Sequence, residues 1–267
     1  HYLDRSEGSG HEKPFGYYIG LLTWKPLELT TWTEALILGL ALVGIAASFL
    51  RRDLPAKVQT FLQVHSIYAV ATLLIYSLLA YKTPWSILAF LHATILLAGA
   101  GFAFLMKLAP GITGKALLCI AFAIGCWHLY EQDRAANFDF PANQDRNPYV
   151  YSHTSPRLVS KLVAQVDELR GIKPDHTVQV YHPETGWPQP RYFRDIESAG
   201  FYPTVTPPVI GDVVIIDEAY AEEFDTHRGD RYLGPDMCNL RDNVMLYFYI
   251  ENELFTKMVE NRSASQP

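Results

Sequence analysis

The chain alternates long apolar stretches with short charged breaks through its first half, and that alternation sets the expected architecture. From Trp32 to Leu50 the sequence is almost wholly apolar, long enough for a helix to cross a hydrocarbon core of roughly 30 Å, and Arg51-Arg52-Asp53 ends it. A second run from Thr60 to Tyr81 carries polar interruptions at Gln63, His65 and Ser66, a third covers Trp85 to Met106, and a shorter fourth from Ala116 ends in Trp127, His128 and Tyr130. The pattern predicts about four transmembrane helices, near 32–50, 60–81, 85–106 and 112–130, within a region 32–131. Aromatic rings at the run ends are expected at the headgroup layer.

Ahead of the first run, His11-Glu12-Lys13-Pro14-Phe15-Gly16-Tyr17-Tyr18-Ile19-Gly20-Leu21-Leu22 joins three charge-bearing residues to an aromatic segment too apolar for an ordinary loop and too short to span. It predicts an interfacial helix inside a loop covering residues 1–31. Arg51, Arg52, Lys57, Lys107 and Lys115 share one side of the bundle, which the positive-inside rule makes cytoplasmic. The opening loop and everything after the last run are then extracytoplasmic, in a multi-pass cell-membrane protein.

After Glu131 the texture becomes that of a water-soluble domain, expected over 132–267, with a polar linker from Asp133 to Asn147. Ser155-Pro156 starts a helix whose apolar stripe is Leu158, Val159, Leu162, Val163, Val166 and Leu169, and Gly171 is its stop. Thr177–Tyr181 reads as a strand. Val213-Val214-Ile215-Ile216, bounded by Asp212 and Asp217, reads as a strand buried on both faces, and Val244 to Ile250 as a late strand covered on both sides. The whole predicts an α-helical membrane bundle followed by a small α/β domain, with a disordered tail after Glu260.

Composition adds exclusions. Over 267 residues the formal net charge is -6, the wrong sign for a nucleic-acid-binding face. Cys119, Cys126 and Cys238 are too few and too irregular for a disulfide framework. The start at His1 carries no signal-peptide pattern, and the chain is expected to be the C-terminal portion of something longer.

Candidate chemistry is sparse. Lys82, with Lys13 or His11 and the Tyr17–Tyr18 pair on the same side of the membrane, could hold the phosphate of a lipid carrier, because phosphate sites need positive charge and donors near the headgroup plane. The same residues equally suit simple anchoring, with Lys82 snorkelling and the tyrosines at the interface. His11 with Glu12, joined by His1, is a weak candidate for a divalent metal. His65 and His92 lie within runs, where an interhelical hydrogen bond is the expected role. Asp217 and Glu218 end a strand, a position where α/β folds often present functional groups, but a solvated strand end and the start of a helix are the expected reading.

Three stretches carry a family resemblance: Gly10-His11-Glu12-Lys13-Pro14-Phe15-Gly16-Tyr17-Tyr18, followed by Glu28; Tyr81-Lys82-Thr83-Pro84-Trp85; and Trp187-Pro188-Gln189-Pro190-Arg191-Tyr192-Phe193-Arg194-Asp195. In order and spacing they resemble the C-terminal part of GT-C type membrane glycosyltransferases related to glycosyltransferase family 39, most of all the flippase-activity-associated branch of archaea and bacteria. Gly16 stands where that family usually has an aromatic residue. The resemblance implies transfer of a sugar from a polyprenyl-phosphate donor to a glycan or protein acceptor at the outer membrane face. It places Lys82, His11, Lys13, Tyr17 and Tyr18 beside the donor phosphate and the catalytic carboxylate upstream of His1. A non-catalytic component supporting assembly or flipping of lipid-linked glycans is the other reading.

Overall fold

The computed structural model describes residues 12–264 apart from 28, 29, 52, 185, 206–208 and 243. His1, His11, Glu28 and Arg52 lie outside the described residues. The chain divides into two compact units, 1–151 and 152–267.

The first unit is helical. A short helix α1 (Tyr17–Thr23) leads into a two-stranded antiparallel hairpin, β1 (Lys25–Leu27) and β2 (Thr30–Trp32). Helices α2 (Ala35–Leu50), α3 (Ala56–Leu78), α4 (Leu88–Leu108) and α5 (Gly111–Arg134) follow, with a 3-10 turn at Pro84–Ile87 and a π-helical turn at Ala135–Asp139. Among the described residues, three helical stretches are long and apolar enough to cross a membrane, not the four expected: 56–78, 84–108 and 111–139.

The first apolar run is shorter as a helix than its sequence suggests. Of the nineteen residues expected to span, α2 has 16, a length of about 24 Å at 1.5 Å per residue. Trp32 instead pairs with Lys25 in the hairpin, and Glu34 stands at the helix N-cap. The first turn is fixed from outside: Glu34 N–H donates to Leu22 O at 2.7 Å, and Ala35 N–H to Thr33 Oγ1 at 3.1 Å.

Short connections make successive helices antiparallel, so Arg51, Lys57, Lys107 and Lys115 collect at one end of the bundle. The opposite end holds α1 and the turn 79–83. The α2–α4 contact is close because it is made by glycines: a Cβ on Gly44 would sit 2.1 Å from Leu97 O, and one on Gly101 1.9 Å from Leu40 O. Small residues that let backbones touch are the usual means of association where lipid removes the hydrophobic drive between helices. Polar residues of the second run tie α3 to α2, through Gln63 Nε2 to Ser48 O at 3.0 Å and a 3.4 Å contact between the buried hydroxyls of Ser48 and Ser66.

Among the described residues, the two histidines within the apolar runs make no hydrogen bond to another helix, contrary to expectation. His65 Nδ1 meets Phe61 O one turn back at 2.8 Å and its ring lies against the Phe61 ring, so local geometry satisfies it; His92 is exposed on the bundle surface. Nor is 133–147 a free linker. Helix and π turn carry the chain to Asp139, and Asn147 Nδ2 then donates to Ala136 O and Phe140 O, folding the segment back onto that turn.

The second unit is a five-stranded mixed sheet of order β4-β3-β5-β7-β6, with β3 (Val178–Tyr181), β4 (Ala199–Tyr202), β5 (Val213–Asp217), β6 (Tyr232–Arg241) and β7 (Val244–Glu251). β3 pairs parallel with β4 and β5; β7 is antiparallel to β5 and β6. The helical segment Leu158–Val163, continuing as α6 (Ala164–Ile172), covers one face together with α9 (Asn252–Ala264), and α8 (Ala221–His227) covers the other. A short α7 (Gln189–Tyr192) lies between β3 and β4.

β5 shows why the pattern was readable. Val213 and Ile215 enter the core with Leu162 and Phe248, Val214 and Ile216 the core with Phe224 and Tyr249, and all four are fully buried. At about 1.5–3 kcal/mol for each buried side chain of this size, the strand is a main source of the unit's stability. The tail is ordered further than expected: α9 runs to Ala264 because Met258 is fully buried and Arg262 forms a double hydrogen bond with Glu168 on α6.

Candidate functional site

At the end of the bundle holding α1, the two stretches singled out in the sequence meet. Lys13 N–H donates to Ala80 O at 3.2 Å, and Glu12 forms an isolated antiparallel bridge with Tyr81. Lys82 Nζ donates to Lys13 O at 3.0 Å and to Leu79 O. Tyr18 OH donates to Thr83 O at 3.3 Å, and the Tyr18 ring packs edge-on against Phe90 and Tyr17. Pro14 closes the turn into α1, its carbonyl accepting from Tyr17 N–H at 3.0 Å.

The roles of the individual residues separate here. Lys82 is only 2% exposed, so it faces protein rather than solvent, and burial lowers its pKa from the ordinary lysine value. Its ammonium sits where the last carbonyls of α3 emerge, a favourable place for a cation. Tyr18 is fully buried. Lys13 and Glu12 are exposed, and Tyr17 is half-buried, its hydroxyl pushed up to about 12 chiefly by burial and then by Tyr18, so that it remains a donor. Lys13 and Tyr17 therefore stand at the surface, with Lys82 and Tyr18 beneath holding them in place. Among the described residues no group of three or more His, Cys, Asp or Glu could hold a metal ion.

Beneath α1 lies a feature that sequence reasoning missed, a cleft of about 300 Å³ between α2, α3 and α4. Ile19 and Leu22 of α1 form its roof; Leu38, Ala41, Ala69 and Phe90 are among its walls, and almost no polar surface lines it. Small residues at 41 and 69 leave the space open. The periodicity of each run shows only that it is apolar; which helices adjoin decides where the gap falls.

In the second unit, Asp217 stands at the carboxyl end of β5 and His182 directly after β3, at the point where the chain leaves β3 toward β4 on one side and later returns to β5 on the other. Such switch points commonly hold ligand sites in α/β sheets. His182 Nε2 lies 3.2 Å from Asp217 Oδ2 without hydrogen-bond alignment, and His182 Nδ1 accepts from Glu184 N–H at 3.1 Å. A ring whose Nδ1 is already an acceptor carries its proton on Nε2, so it has no free lone pair with which to act as a base. Burial lowers its pKa, against the opposing pull of Asp217. Asp217 Oδ1 accepts from Ala219 N–H at 2.9 Å, capping the 3-10 turn Glu218–Tyr220 as the helix-start reading requires. From the Trp187–Asp195 stretch, Gln189 is fully buried, and both its amide atoms lack a partner among the described residues.

Comparison with protein-family models, with curated proteins and with solved structures gives no match to this chain.

Proposed function

We propose that this is a multi-pass membrane protein of the GT-C glycosyltransferase type. On this reading the end of the bundle carrying α1 faces out of the cytoplasm and holds a polyprenyl-phosphate-linked sugar. α2 crosses with the other three helices, its short length completed by the hairpin and α1 at the interface. The isoprenoid chain enters the apolar cleft under α1, Lys13 and the Tyr17 hydroxyl meet the phosphate, and Lys82 positions Lys13. A cation and a neutral donor at a dissociating phosphate stabilise the leaving group as the sugar departs.

The observation supporting this is the joining of residues 12–18 to residues 79–83 at the end of the bundle where α1, the helix that follows, roofs an apolar cleft. An apolar slot at the same bundle end as an exposed cation and a phenol suits an amphiphile with an anionic head.

The test is binding and turnover of a polyprenyl-phosphate-linked sugar by the full chain in nanodiscs. Saturable binding is expected, displaced by polyprenyl phosphate, weakened by Lys13→Ala and abolished by Ala69→Phe in the cleft. Equal binding by all three proteins would refute it. Binding with no sugar transfer to any glycan or protein acceptor would instead favour the non-catalytic role in assembly or flipping.

A further inference from the structure

A second polar site lies apart from the cleft under α1. Glu34, at the N-cap of α2, is 8% exposed and lines a cleft of about 220 Å³ with Trp32, Gln132, Asp133 and Tyr149. Two donors converge on one of its oxygens: Gln132 Nε2 reaches Glu34 Oε1 at 2.6 Å and Tyr149 OH reaches the same atom at 2.9 Å. Both are themselves fixed. Gln132 Oε1 accepts from Thr33 N–H at 2.8 Å, and the Tyr149 ring packs edge-on against Trp32 at 5.9 Å between centroids. Burial first, and Glu34 second, raise the Tyr149 pKa, so its hydroxyl stays a donor.

This leaves Glu34 Oε2 without a protein partner among the described residues, on a carboxylate more than nine-tenths buried. No ion pair among the described residues reaches it either, and the near end of α2 supplies only the partial positive charge of a helix N-terminus. A buried carboxylate without a full counter-charge is costly, which makes it a strong seat for a cation supplied from outside. Asp133 adds a second carboxylate on the rim; one oxygen accepts from Asn137 Nδ2 at 3.0 Å and no cation pairs with it among the described residues.

The polarity of this cleft chooses the ligand. Tyr149 and one N–H of Gln132 donate to Oε1, and no cation among the described residues pairs with Glu34 or Asp133, so the cleft carries uncompensated negative charge beside aromatic rings. A polyol would leave that charge uncompensated, whereas an ammonium neutralises it and is further favoured beside aromatic faces. The volume is below that of ordinary drug-sized sites, suiting a small group. We propose that the cleft between α2 and α5 binds a primary ammonium, with Glu34 Oε2 and Asp133 accepting its protons and Trp32 and Tyr149 forming the wall. The site lies at the bundle end that also holds α1, so the amine can come from a lipid headgroup or from solution.

The test uses the full chain in nanodiscs. One arm titrates ethanolamine into phosphatidylglycerol discs by calorimetry. The other counts phosphatidylethanolamine retained by native mass spectrometry when the discs contain both lipids. Saturable binding in the first arm identifies a soluble amine, selective retention in the second a headgroup, and binding in both identifies the ammonium itself. Glu34→Gln keeps the shape and removes the charge, and should weaken binding by at least about tenfold, as expected for loss of a buried charge-assisted contact. Ethylene glycol, which replaces the ammonium by a hydroxyl, should fail to bind to the unaltered chain, a comparison needing no variant. No binding in either arm, equal binding by Glu34→Gln, or ethylene glycol binding as well as ethanolamine would each overturn the proposal.

Discussion

Lys82 Nζ donates to the carbonyl oxygen of Lys13 at 3.0 Å, closing across 69 residues a contact that joins the start of the described chain to the turn after α3. The same ammonium also meets Leu79 O. Lys82→Met keeps the length of the side chain and removes both bonds, leaving two carbonyls without their donor. A loss of about 2–3 kcal/mol is expected from deleting charged hydrogen bonds in a buried setting. Hydrogen exchange should show faster exchange in the peptide covering 12–18 with α4 unaffected. Unchanged exchange there would mean that the backbone pairing with Ala80 and Tyr81 holds the segment unaided.

The α2–α4 contact gives a sharper prediction, because glycines on one helix differ in what surrounds them. Gly101→Val places a branched side chain where even a Cβ would meet Leu40 O at 1.9 Å, and Gly44→Val does the same at Leu97 O. Either should force the helices apart and lower the thermal midpoint in detergent, at a cost of about 3 kcal/mol or more, above ordinary overpacking because the obstacle is backbone. Gly39, with nothing within 4 Å of its Cβ position, is the control: Gly39→Ala should be neutral or slightly stabilising through helix propensity. A Gly101 variant as stable as the Gly39 variant would show that the helices can separate without loss.

What was legible in the sequence follows from how local the cause is. β5 could be read because four consecutive branched residues have no reason to be together unless both faces are covered. β4 could not: Ala199 and Gly200 are weak strand formers, and β3, pairing Val178 to Ala199 and Gln179 to Gly200, imposes the extended form. β6 was hidden likewise, with Gly234 and Pro235 interrupting its pairing where the register to β7 shifts. The shortened start of α2 has the same origin, since Trp32 is as apolar as the helix it precedes and only its hairpin partner Lys25 excludes it. At the candidate site, residue types suggested Lys82 and Lys13 for one place but not their order. That one is buried beneath the other depends on a turn and a segment far apart in the chain.

In the second unit Asp212 is the corresponding long-range tie. It is buried, and accepts from Lys173 Nζ at 2.9 Å and from Thr177 N–H at 2.8 Å, while its own N–H donates to Thr177 Oγ1 at 2.8 Å. Burial alone would raise its pKa; the bonds from Lys173 and Thr177 outweigh that and hold the carboxyl below its ordinary range. Lys173 is partly exposed and can return to water, so the main cost of Asp212→Ala is the orphaned Thr177 N–H, about 2–3 kcal/mol. Asp212→Asn, which keeps one acceptor, should lose about half as much. The carboxylate's contribution is present above about pH 3.9 and is lost as pH falls through its folded value. Exchange of the β3 and β5 amides in the two variants measures the difference, and equal protection in both would remove Asp212 from the account.

His182 sets a different acid limit. Its folded pKa is lowered, with burial the leading cause, so the unfolded chain binds a proton before the folded one does. For a histidine held neutral, stability is complete above the unfolded pKa near 6.5 and declines as pH falls below it, by up to about 1.4 kcal/mol per pH unit until the folded value is reached. Protonation must occur at Nδ1, which would cost the hydrogen bond from Glu184 N–H and place two like-directed donors at the end of β3. The nearby Asp217 opposes the decline without reversing it, because burial outweighs its attraction and Arg241 adds to the lowering. Exchange of the Tyr181 and Ile216 amides between pH 7 and 5 should therefore accelerate beyond the intrinsic chemical rate. In His182→Gln, whose amide can accept from Glu184 N–H and cannot titrate, that pH dependence should vanish. If it persists there, the acid sensitivity of the sheet comes from another group, and the lowered histidine is a bystander.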